Sequence, residues 1–408
     1  MKLFLSTPPT NLIETNIQVT GSKSESNRLL LLQALFPNIQ IENLSNSDDG
    51  RVMKNGLGVS FGEVDIHHAG TAMRFLTAYF ASQEGKEVVL TGSKRMTERP
   101  IKVLVDGLKE LGADIEYERN DGYPPLKIKG KKLIKSKVSL PANISSQYIS
   151  ALLLIAPSLE NGLELDLVGK ITSVPYIKMT LGLLNQVGVT TFFEGNVIKV
   201  SPEKDVLDKI MVVESDWSSA SYFYSIVALS EVGTKISLTA YKSDSLQGDS
   251  VLAELYRDFG VETTFLENEI VLRKTAEAQP SINYDLSNAP DIAQTIAVTC
   301  FGLRLGCHLT GLHTLKIKET DRLEALKAEL SKLGANITVT DKTLTLKPSK
   351  TINNEVAIDT YNDHRMAMAF APLALKNSII INDAEVVSKS YPDFWTDMEK
   401  LKIGIKEL

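Results

Sequence analysis

The sequence predicts an α/β protein of two domains, each built from three copies of one supersecondary repeat. The 408-residue chain is too long for one ordinary hydrophobic core. A helix that ends in an apolar residue and glycine recurs along it. A second helix, rich in small apolar residues and opened by a polar cluster, recurs at the same interval. Together these observations indicate an internal repeat.

The glycine signal marks the ends of amphipathic helices. It occurs at Gly112, Gly188, Gly260 and Gly334, with weaker copies at Gly58 and Gly404. The four strong copies are spaced by roughly 75 residues. Glycine suits this place because the residue after a helix often needs a positive φ. Leu323, Leu326, Leu330 and Leu333 show the helical spacing expected of one buried stripe.

The small-residue helices begin near Ser22, Ala69, Ser145, Ser218, Ala289 and Asn362. They are apolar on nearly every face, which predicts burial. Alternating β-branched strands are expected at 86–91, 163–168, 236–240, 308–311 and 379–383. Each repeat is therefore predicted to run strand, small-residue helix, strand, amphipathic helix, strand, strand. The interval from Ser22 to Ala69 is short, so the first repeat should lack some elements.

Six repeats divide into two domains near residue 213. We expect residues 21–213 to form one inserted domain, and residues 1–20 with 214–408 to form a discontinuous one. The first twenty residues should pair with the last repeat. No low-complexity linker joins the domains, which favours a hinge.

Composition narrows the class of function. The net charge of −6 argues against a nucleic-acid partner. The apolar run before Pro8 is too short for a secretory signal, and no apolar stretch approaches the roughly 20 residues of a membrane span. Two cysteines, Cys300 and Cys307, make no disulfide framework. We therefore expect a cytoplasmic protein without a membrane partner.

Cations gather where the small-residue helices begin. Lys23, Arg28, Arg74 and Arg365 lie in these helices, and Arg95, Arg99, Lys318, Arg322 and Lys389 lie in nearby loops. Helix N-termini attract anions. Any single cation could be a solvated surface charge, but recurrence at matching points predicts a cationic cleft.

The chain resembles a known family along its length. The matching segments are 21–28 (GSKSESNR), 69–74 (AGTAMR), 90–100 (LTGSKRMTERP), 145–148 (SSQY), 290–291 (PD), 318–322 (KETDR), 361–368 (YNDHRMAM) and 389–393 (KSYPD). They resemble the 5-enolpyruvylshikimate-3-phosphate synthases. That family's fold is two inverted (inside-out) α/β barrel domains of three βαβαββ repeats each.

The resemblance implies transfer of the enolpyruvyl group of phosphoenolpyruvate to shikimate 3-phosphate, without a cofactor or metal, by a monomer in the shikimate pathway. It implies that shikimate 3-phosphate is bound by Lys23, Ser24, Arg28, Ser145, Ser146, Gln147, Ser173, Tyr176, Asp291 and Lys318. It implies that phosphoenolpyruvate is bound by Lys23, Gly70, Arg95, Gln147, Arg322, Arg365 and Lys389.

The reaction needs an acid/base pair in a cationic pocket. Asp291 and Glu319 are the candidates, with Lys23 as a possible proton donor to the leaving phosphate and with Asp363 and His364 in support. Which group moves which proton stays open. Taken alone, Asp291 could be a capping residue, and Glu319 a carboxylate favoured by a helix dipole.

Some residues depart from the family's pattern. His68 stands for its usual Asn, Phe75 for its usual Pro, and Thr314-Leu315-Lys316 replaces a more polar stretch. These changes put two properties in question: the affinity for phosphoenolpyruvate, and the sensitivity to glyphosate, the family's inhibitor. The alternatives are the sister enolpyruvyl transferase acting on UDP-N-acetylglucosamine and a non-catalytic anion-binding paralogue. The sister enzyme uses a loop cysteine, and residues 91–100 contain none.

Overall fold

The computed structural model of the chain describes residues 1–10, 12–142, 145–169, 171 and 174–408. The chain divides into two compact units. Unit 1 comprises Met1–Thr20 and Glu214–Leu408, and unit 2 comprises Gly21–Val213. Both units alternate helices with small mixed sheets, so the predicted α/β fold is confirmed.

The described residues form twelve α-helices. They are α1 (Lys23–Leu35), α2 (Asp48–Leu57), α3 (Gly70–Ser82), α4 (Lys102–Leu111), α5 (Ser146–Ile155), α6 (Val174–Gln186), α7 (Trp217–Leu229), α8 (Leu252–Leu255), α9 (Ala293–Gly302), α10 (Arg322–Lys332), α11 (His364–Phe370) and α12 (Phe394–Lys400). No helix among the described residues is both long and apolar enough to cross a membrane.

The strands are short. They are β1 (Leu3–Ser6), β2 (Glu14–Ile17), β3 (Ile39–Glu42), β4 (Phe61–Asp65), β5 (Glu87–Thr91), β6 (Asp114–Tyr117), β7 (Leu126–Lys129), β8 (Lys137–Pro141), β9 (Leu163–Val168), β10 (Thr191–Glu194), β11 (Val197–Val200), β12 (Lys209–Val212), β13 (Lys235–Thr239), β14 (Val261–Leu266), β15 (Glu269–Lys274), β16 (Ser281–Asp285), β17 (Gly306–Thr310), β18 (Ile337–Val339), β19 (Leu344–Leu346), β20 (Val356–Ile358), β21 (Ile379–Ile381) and β22 (Gly404–Glu407).

The small-residue helices form the centre of each unit. In unit 2, α1, α3 and α5 pack against one another, and in unit 1, α9 packs against both α7 and α11. Every residue of α7 and of α9 is buried. The predicted burial of these helices is therefore confirmed, and it places their N-terminal ends together within each unit.

The repeat is visible in the sheets. In the sheet β4-β5-β7-β6 a parallel pair is followed by two antiparallel pairs. The sheets β8-β9-β11-β10, β2-β13-β15-β14, β16-β17-β19-β18 and β20-β21-β1-β22 follow the same pattern. The shortened first repeat contributes the two-stranded parallel sheet β3-β12.

The first twenty residues contribute strands to two different sheets. Strand β1 pairs with β21 and β22 of the last repeat, as expected. Strand β2 instead pairs in parallel with β13, at the start of the fourth repeat. The sequence did not predict this second pairing, because β2 has only four residues and one buried position.

The four strong glycine copies have the predicted backbone conformation. Gly112, Gly188, Gly260 and Gly334 have φ of +111°, +103°, +72° and +100°. The weaker copies differ: Gly58 ends α2 with φ −77°, and Gly404 lies in β22. A positive φ is thus a property of the strong copies only.

Replacing Gly112 by alanine should lower the free energy of unfolding by about 1 kcal/mol, because a Cβ disfavours positive φ. The space itself is open, since nothing lies within 4 Å of the added Cβ. Gly58→Ala is the control, because its φ is already helical. Denaturant unfolding of both variants checks this, and equal losses would contradict the conformational explanation.

Candidate active site

Unit 2 places a lysine at the start of its first helix. The Ser22 hydroxyl accepts a hydrogen bond from the Glu25 N–H and caps α1. Lys23 is the first residue of α1, and its Nζ lies 3.4 Å from Oδ2 of Asp49, a buried carboxylate on α2. Ser24 follows in the same turn and is half-buried. The ion pair fixes Lys23 while leaving its ammonium partly accessible.

Arg28 is a buried cation that joins three helices. Its Nε donates to Thr180 Oγ1 (2.8 Å), its Nη1 to the Ser24 carbonyl (2.7 Å) and its Nη2 to Ser150 Oγ (3.1 Å). Burial lowers the pKa of Arg28 to about 10. Glu25, three residues earlier in α1, is an acidic side chain that acts on this charge and raises the pKa against the effect of burial. The side-chain hydrogen bonds of Arg28 all go to neutral groups, which favours an anionic ligand nearby.

The start of α5 lies against α3. The Ser145 hydroxyl accepts from the Gln147 N–H (3.4 Å), and Ser146 is buried behind it. The Gln147 side chain donates from Nε2 to Thr71 Oγ1 (3.2 Å) in the first turn of α3. Tyr176 lies in the first turn of α6, where its carbonyl accepts from Arg28 Nη2 (3.5 Å). Ser173 lies outside the described residues.

The two arginines of the loop after β5 have different surroundings. Arg95 is exposed, and its Nη1 lies 3.3 Å from Oε2 of Glu98. Arg99 places its guanidinium against Gly70 at the start of α3, where a Cβ on Gly70 would lie 2.7 Å from Arg99 Nη1. Gly70 therefore gives this guanidinium room. The structure thus places Arg99 beside Gly70.

Arg74 adds a second cation to this helix start. Its Nη1 donates to the Gly70 carbonyl (3.1 Å) and its Nη2 to the Pro100 carbonyl (3.2 Å). Burial, reinforced by the nearby Arg99, lowers the pKa of Arg74 to about 10. Two arginines near one helix N-terminus create a local positive potential in an acidic protein.

Unit 1 is organised around the buried guanidinium of Arg322, the first residue of α10. Its Nε donates to Asp363 Oδ2 (2.6 Å), its Nη1 to Asp291 Oδ1 (2.8 Å) and its Nη2 to Glu319 Oε2 (2.8 Å). Burial would lower the pKa of Arg322, but the three carboxylates raise it above the ordinary value. Arg322 thus holds both acid/base candidates.

Asp291 has two further cations. Lys318 Nζ lies 3.3 Å from its Oδ1, and Arg365 Nη2 lies 3.4 Å from its Oδ2. Burial would lower the pKa of Arg365, yet Asp291, Tyr222 and Asp249 hold it well above its usual value. Lys389 Nζ donates to the Asn362 carbonyl (2.6 Å), just before α11.

Helix capping in unit 1 is done by other residues. Asp321 caps α10 by accepting from the N–H groups of Leu323 and Glu324. Asp363 caps α11 through the Arg365 N–H (2.9 Å), and buried His364 follows it. Asp291 lies in the 3₁₀ turn Pro290–Ile292 that leads into α9, and its carboxylate binds cations. Capping therefore does not account for Asp291 or Glu319.

The predicted residues divide between the two units. Lys23, Ser24, Arg28, Gly70, Ser145, Ser146, Gln147 and Tyr176 lie in unit 2, and Asp291, Lys318, Glu319, Arg322, Asp363, His364, Arg365 and Lys389 lie in unit 1. Sequence reasoning did not assign Arg99 to the site, although it noted that residue among the cations. It also missed Ser218 and Asp249, described below.

The site residues of both units combine cations, hydroxyls and helix N-termini. This combination defines an α/β protein suited to small polyanionic ligands.

Similarity to known proteins identifies the family. The family model for EPSP synthase (3-phosphoshikimate 1-carboxyvinyltransferase) matches residues 59–398. A 3-phosphoshikimate 1-carboxyvinyltransferase of Bacteroides fragilis is 46% identical over 100% of this chain and 99% of its own length. The enzyme of that name from Haemophilus influenzae is 37% identical, covering 96% of this chain and 98% of its own.

A solved structure of EPSP synthase from Acinetobacter baumannii superposes with a TM-score of 0.83 at 21% identity, with all of both chains covered. That likeness supports the fold. The chain belongs to the EPSP synthase family.

Replacing Arg322 by glutamine should lower the free energy of unfolding by about 3 kcal/mol or more, because three buried carboxylates lose their shared partner. Arg273→Gln is the matched control, since Arg273 is exposed on β15. Thermal melting of both variants checks this. A similar melting temperature for the two variants would show that Arg322 does not hold unit 1 together.

Proposed function

We propose that this chain transfers the carboxyvinyl group of phosphoenolpyruvate to the 5-hydroxyl of shikimate 3-phosphate and releases phosphate, a step of aromatic amino acid biosynthesis. Full-length relatives at 36–46% identity carry the name of this activity. The structural observation that carries the proposal is that Asp291 and Glu319 share one buried guanidinium.

Two ionised carboxylates close together normally repel, so that one of them becomes protonated. Here Arg322, Lys318 and Arg365 surround Asp291, and Arg322 also contacts Glu319. The cations offset that repulsion and keep both groups available as bases. The same cations suit the carboxylate and phosphate of the substrates, because arginine binds both groups bidentately.

We propose that Lys23, Ser24, Arg28, Ser145, Ser146, Gln147, Ser173 and Tyr176 bind shikimate 3-phosphate together with Asp291 and Lys318. Phosphoenolpyruvate would be bound by Lys23, Gly70, Gln147, Arg322, Arg365 and Lys389. Arg95 belongs to this second set as well, and Arg99 joins it because its guanidinium lies at Gly70. His364 and Asp363 would support Arg322 and Arg365.

The chemistry proceeds by addition and elimination. The 5-hydroxyl oxygen bonds to C2 of phosphoenolpyruvate, the hydroxyl loses its proton, and C3 gains one. The product is a tetrahedral ketal phosphate. C3 then loses a proton as the bond between C2 and the phosphate oxygen breaks, giving the enol ether and free phosphate. Asp291 and Glu319 are placed to move these protons, and Lys23 to protonate the leaving phosphate.

Arg322 links substrate binding to this proton transfer. Asp291, Glu319 and Asp363 take four of its five N–H donors, so an anionic substrate that binds Arg322 bidentately must replace one of these contacts. Glu319 is the most exposed of the three, with 31% of its side chain accessible, against 8% and 0% for Asp291 and Asp363. We expect Glu319 to be displaced, which would free its carboxylate to act as a base.

The direct test is phosphate release with phosphoenolpyruvate and shikimate 3-phosphate, omitting each in turn and offering UDP-N-acetylglucosamine as another acceptor. Release only with the first pair supports the proposal. Release only with the UDP-sugar would identify the sister activity. No release with either acceptor would favour a binding protein.

Glu319→Gln and Asp291→Asn should each lower kcat by about 10²-fold or more while changing KM much less, because each removes a proton-transferring group. Glu324→Gln is the control, since Glu324 is exposed on α10 and paired with Lys327. Steady-state phosphate release measures all three. Near-normal kcat in both site variants would exclude them as acid/base residues.

Arg99→Lys should raise KM for phosphoenolpyruvate by about tenfold, because lysine cannot reproduce a bidentate contact with phosphate or carboxylate. Arg119→Lys is the matched control and should change KM little, because Arg119 is an exposed arginine outside the proposed site. Titration of phosphoenolpyruvate at saturating shikimate 3-phosphate checks both. An unchanged KM in Arg99→Lys would remove Arg99 from the site.

We further propose that the enzyme is a cytoplasmic monomer, as its family resemblance implies. Its two free cysteines, Cys300 and Cys307, are both buried and fit a reducing compartment. Light scattering after size-exclusion chromatography tests the oligomeric state.

A further inference from the structure

The segment between β13 and α8 is fixed to the start of α7. Glu214 accepts from Trp217 Nε1 (2.7 Å), from the Lys242 N–H (2.9 Å) and from Ser245 Oγ (2.6 Å). The Trp217 N–H in turn donates to Gln247 Oε1 (2.9 Å). These contacts hold the backbone that carries Asp249 in one place.

Asp249 reaches Arg365 through one serine. Its Oδ2 accepts the hydroxyl of Ser218, and Ser218 Oγ accepts from Arg365 Nη2 (3.2 Å). The Ser218 hydroxyl has a single proton, which it donates to Asp249. The lone pairs of Ser218 Oγ therefore face the Arg365 guanidinium. The same Nη2 lies 3.4 Å from Asp291 Oδ2. Asp249 thus orients a cation that also contacts an acid/base candidate.

The charges around Asp249 come from three other elements. Asp291 faces it from the turn before α9, Arg365 from α11, and Asp216 and Ser218 from the start of α7. Burial, and then Asp291, raise the pKa of Asp249 to about 6, against the lowering effect of Arg365. At neutral pH Asp249 is therefore mostly ionised, but it can take up a proton when further negative charge approaches.

We propose that Asp249 is a positioning residue, which orients Arg365 through Ser218 and takes up a proton when phosphoenolpyruvate binds at Arg365. This rests on the proposed function, which places phosphoenolpyruvate there. An arriving anion adds negative charge beside Asp249 and favours its neutral form. Protonation of Asp249 removes a carboxylate that would otherwise compete with the substrate for Arg365.

The affinity for phosphoenolpyruvate should depend on pH through Asp249. Above about pH 6, Asp249 is ionised in the free protein, and its charge opposes anion binding. Below that pH it is already neutral, and the opposition is lost. Asp249→Asn should therefore bind phosphoenolpyruvate more tightly than the wild type at alkaline pH and equally well at acidic pH.

The first measurement is calorimetric titration of phosphoenolpyruvate into the protein without shikimate 3-phosphate, so that no turnover occurs, at about pH 7 and in buffers of different ionisation enthalpy. Asp249→Asn should take up fewer protons than the wild type. Asp341→Asn, an exposed carboxyl paired with Lys316, should match the wild type. Equal proton uptake in Asp249→Asn and wild type would overturn the proposal.

The second measurement compares KM with kcat across pH. At about pH 8, Asp249→Asn should lower KM for phosphoenolpyruvate by about fivefold, and the ratio should approach unity at about pH 5. The main effect should fall on KM rather than on kcat. A raised KM at every pH would mean that Asp249 only supports the structure.

The Ser218→Ala variant keeps the Asp249 carboxylate and removes the hydroxyl that links it to Arg365. It should raise KM by about threefold and retain the proton uptake, and it provides a test if Asp249→Asn does not fold. An unchanged KM in Ser218→Ala would overturn the orienting role. Failure of the proposed function would look different, because the wild type itself would then neither bind phosphoenolpyruvate with shikimate 3-phosphate nor release phosphate.

Discussion

The guanidinium of Arg322 is the contact on which the chemistry of unit 1 depends. Three buried or half-buried carboxylates, from the turn before α9, from the segment before α10 and from the cap of α11, accept hydrogen bonds from its N–H groups. Without that cation, their burial would cost several kcal/mol for each charge. One side chain therefore fixes where three separate elements begin relative to one another, and it also contacts both acid/base candidates.

The same principle operates in unit 2 with the charges reversed. Arg28 ties α1 to α5 and α6 through hydroxyls and carbonyls, so its hydrogen-bond partners are neutral and Glu25 opposes its charge electrostatically. Unit 1 thus gathers carboxylates around a cation, whereas unit 2 gathers cations and hydroxyls that lack a full set of counter-charges. The second arrangement suits binding of anions, and the first suits proton transfer.

Much of this organisation could be predicted from the sequence. The repeat was visible because Gly112, Gly188, Gly260 and Gly334 serve one backbone requirement, a positive φ at a helix end. The contact of Arg99 with Gly70 was not visible, because Arg95 and Arg99 lie in one loop and the sequence does not say which of them reaches Gly70. Asp249 was missed because its role depends on Ser218 and Arg365, which are distant in sequence. The parallel pairing of β2 with β13 is a long-range contact of the same kind.

Solvent deuterium incorporation tests the central claim, that the two carboxylates held by Arg322 move the protons of an addition and elimination at C3. In D₂O with shikimate 3-phosphate, the wild type should place deuterium at C3, because the intermediate's methyl group gains a solvent proton and then loses one of three hydrogens. Asp291→Asn and Glu319→Gln should suppress this incorporation, whereas Glu324→Gln should retain it. Wild-type incorporation in both site variants would contradict the account.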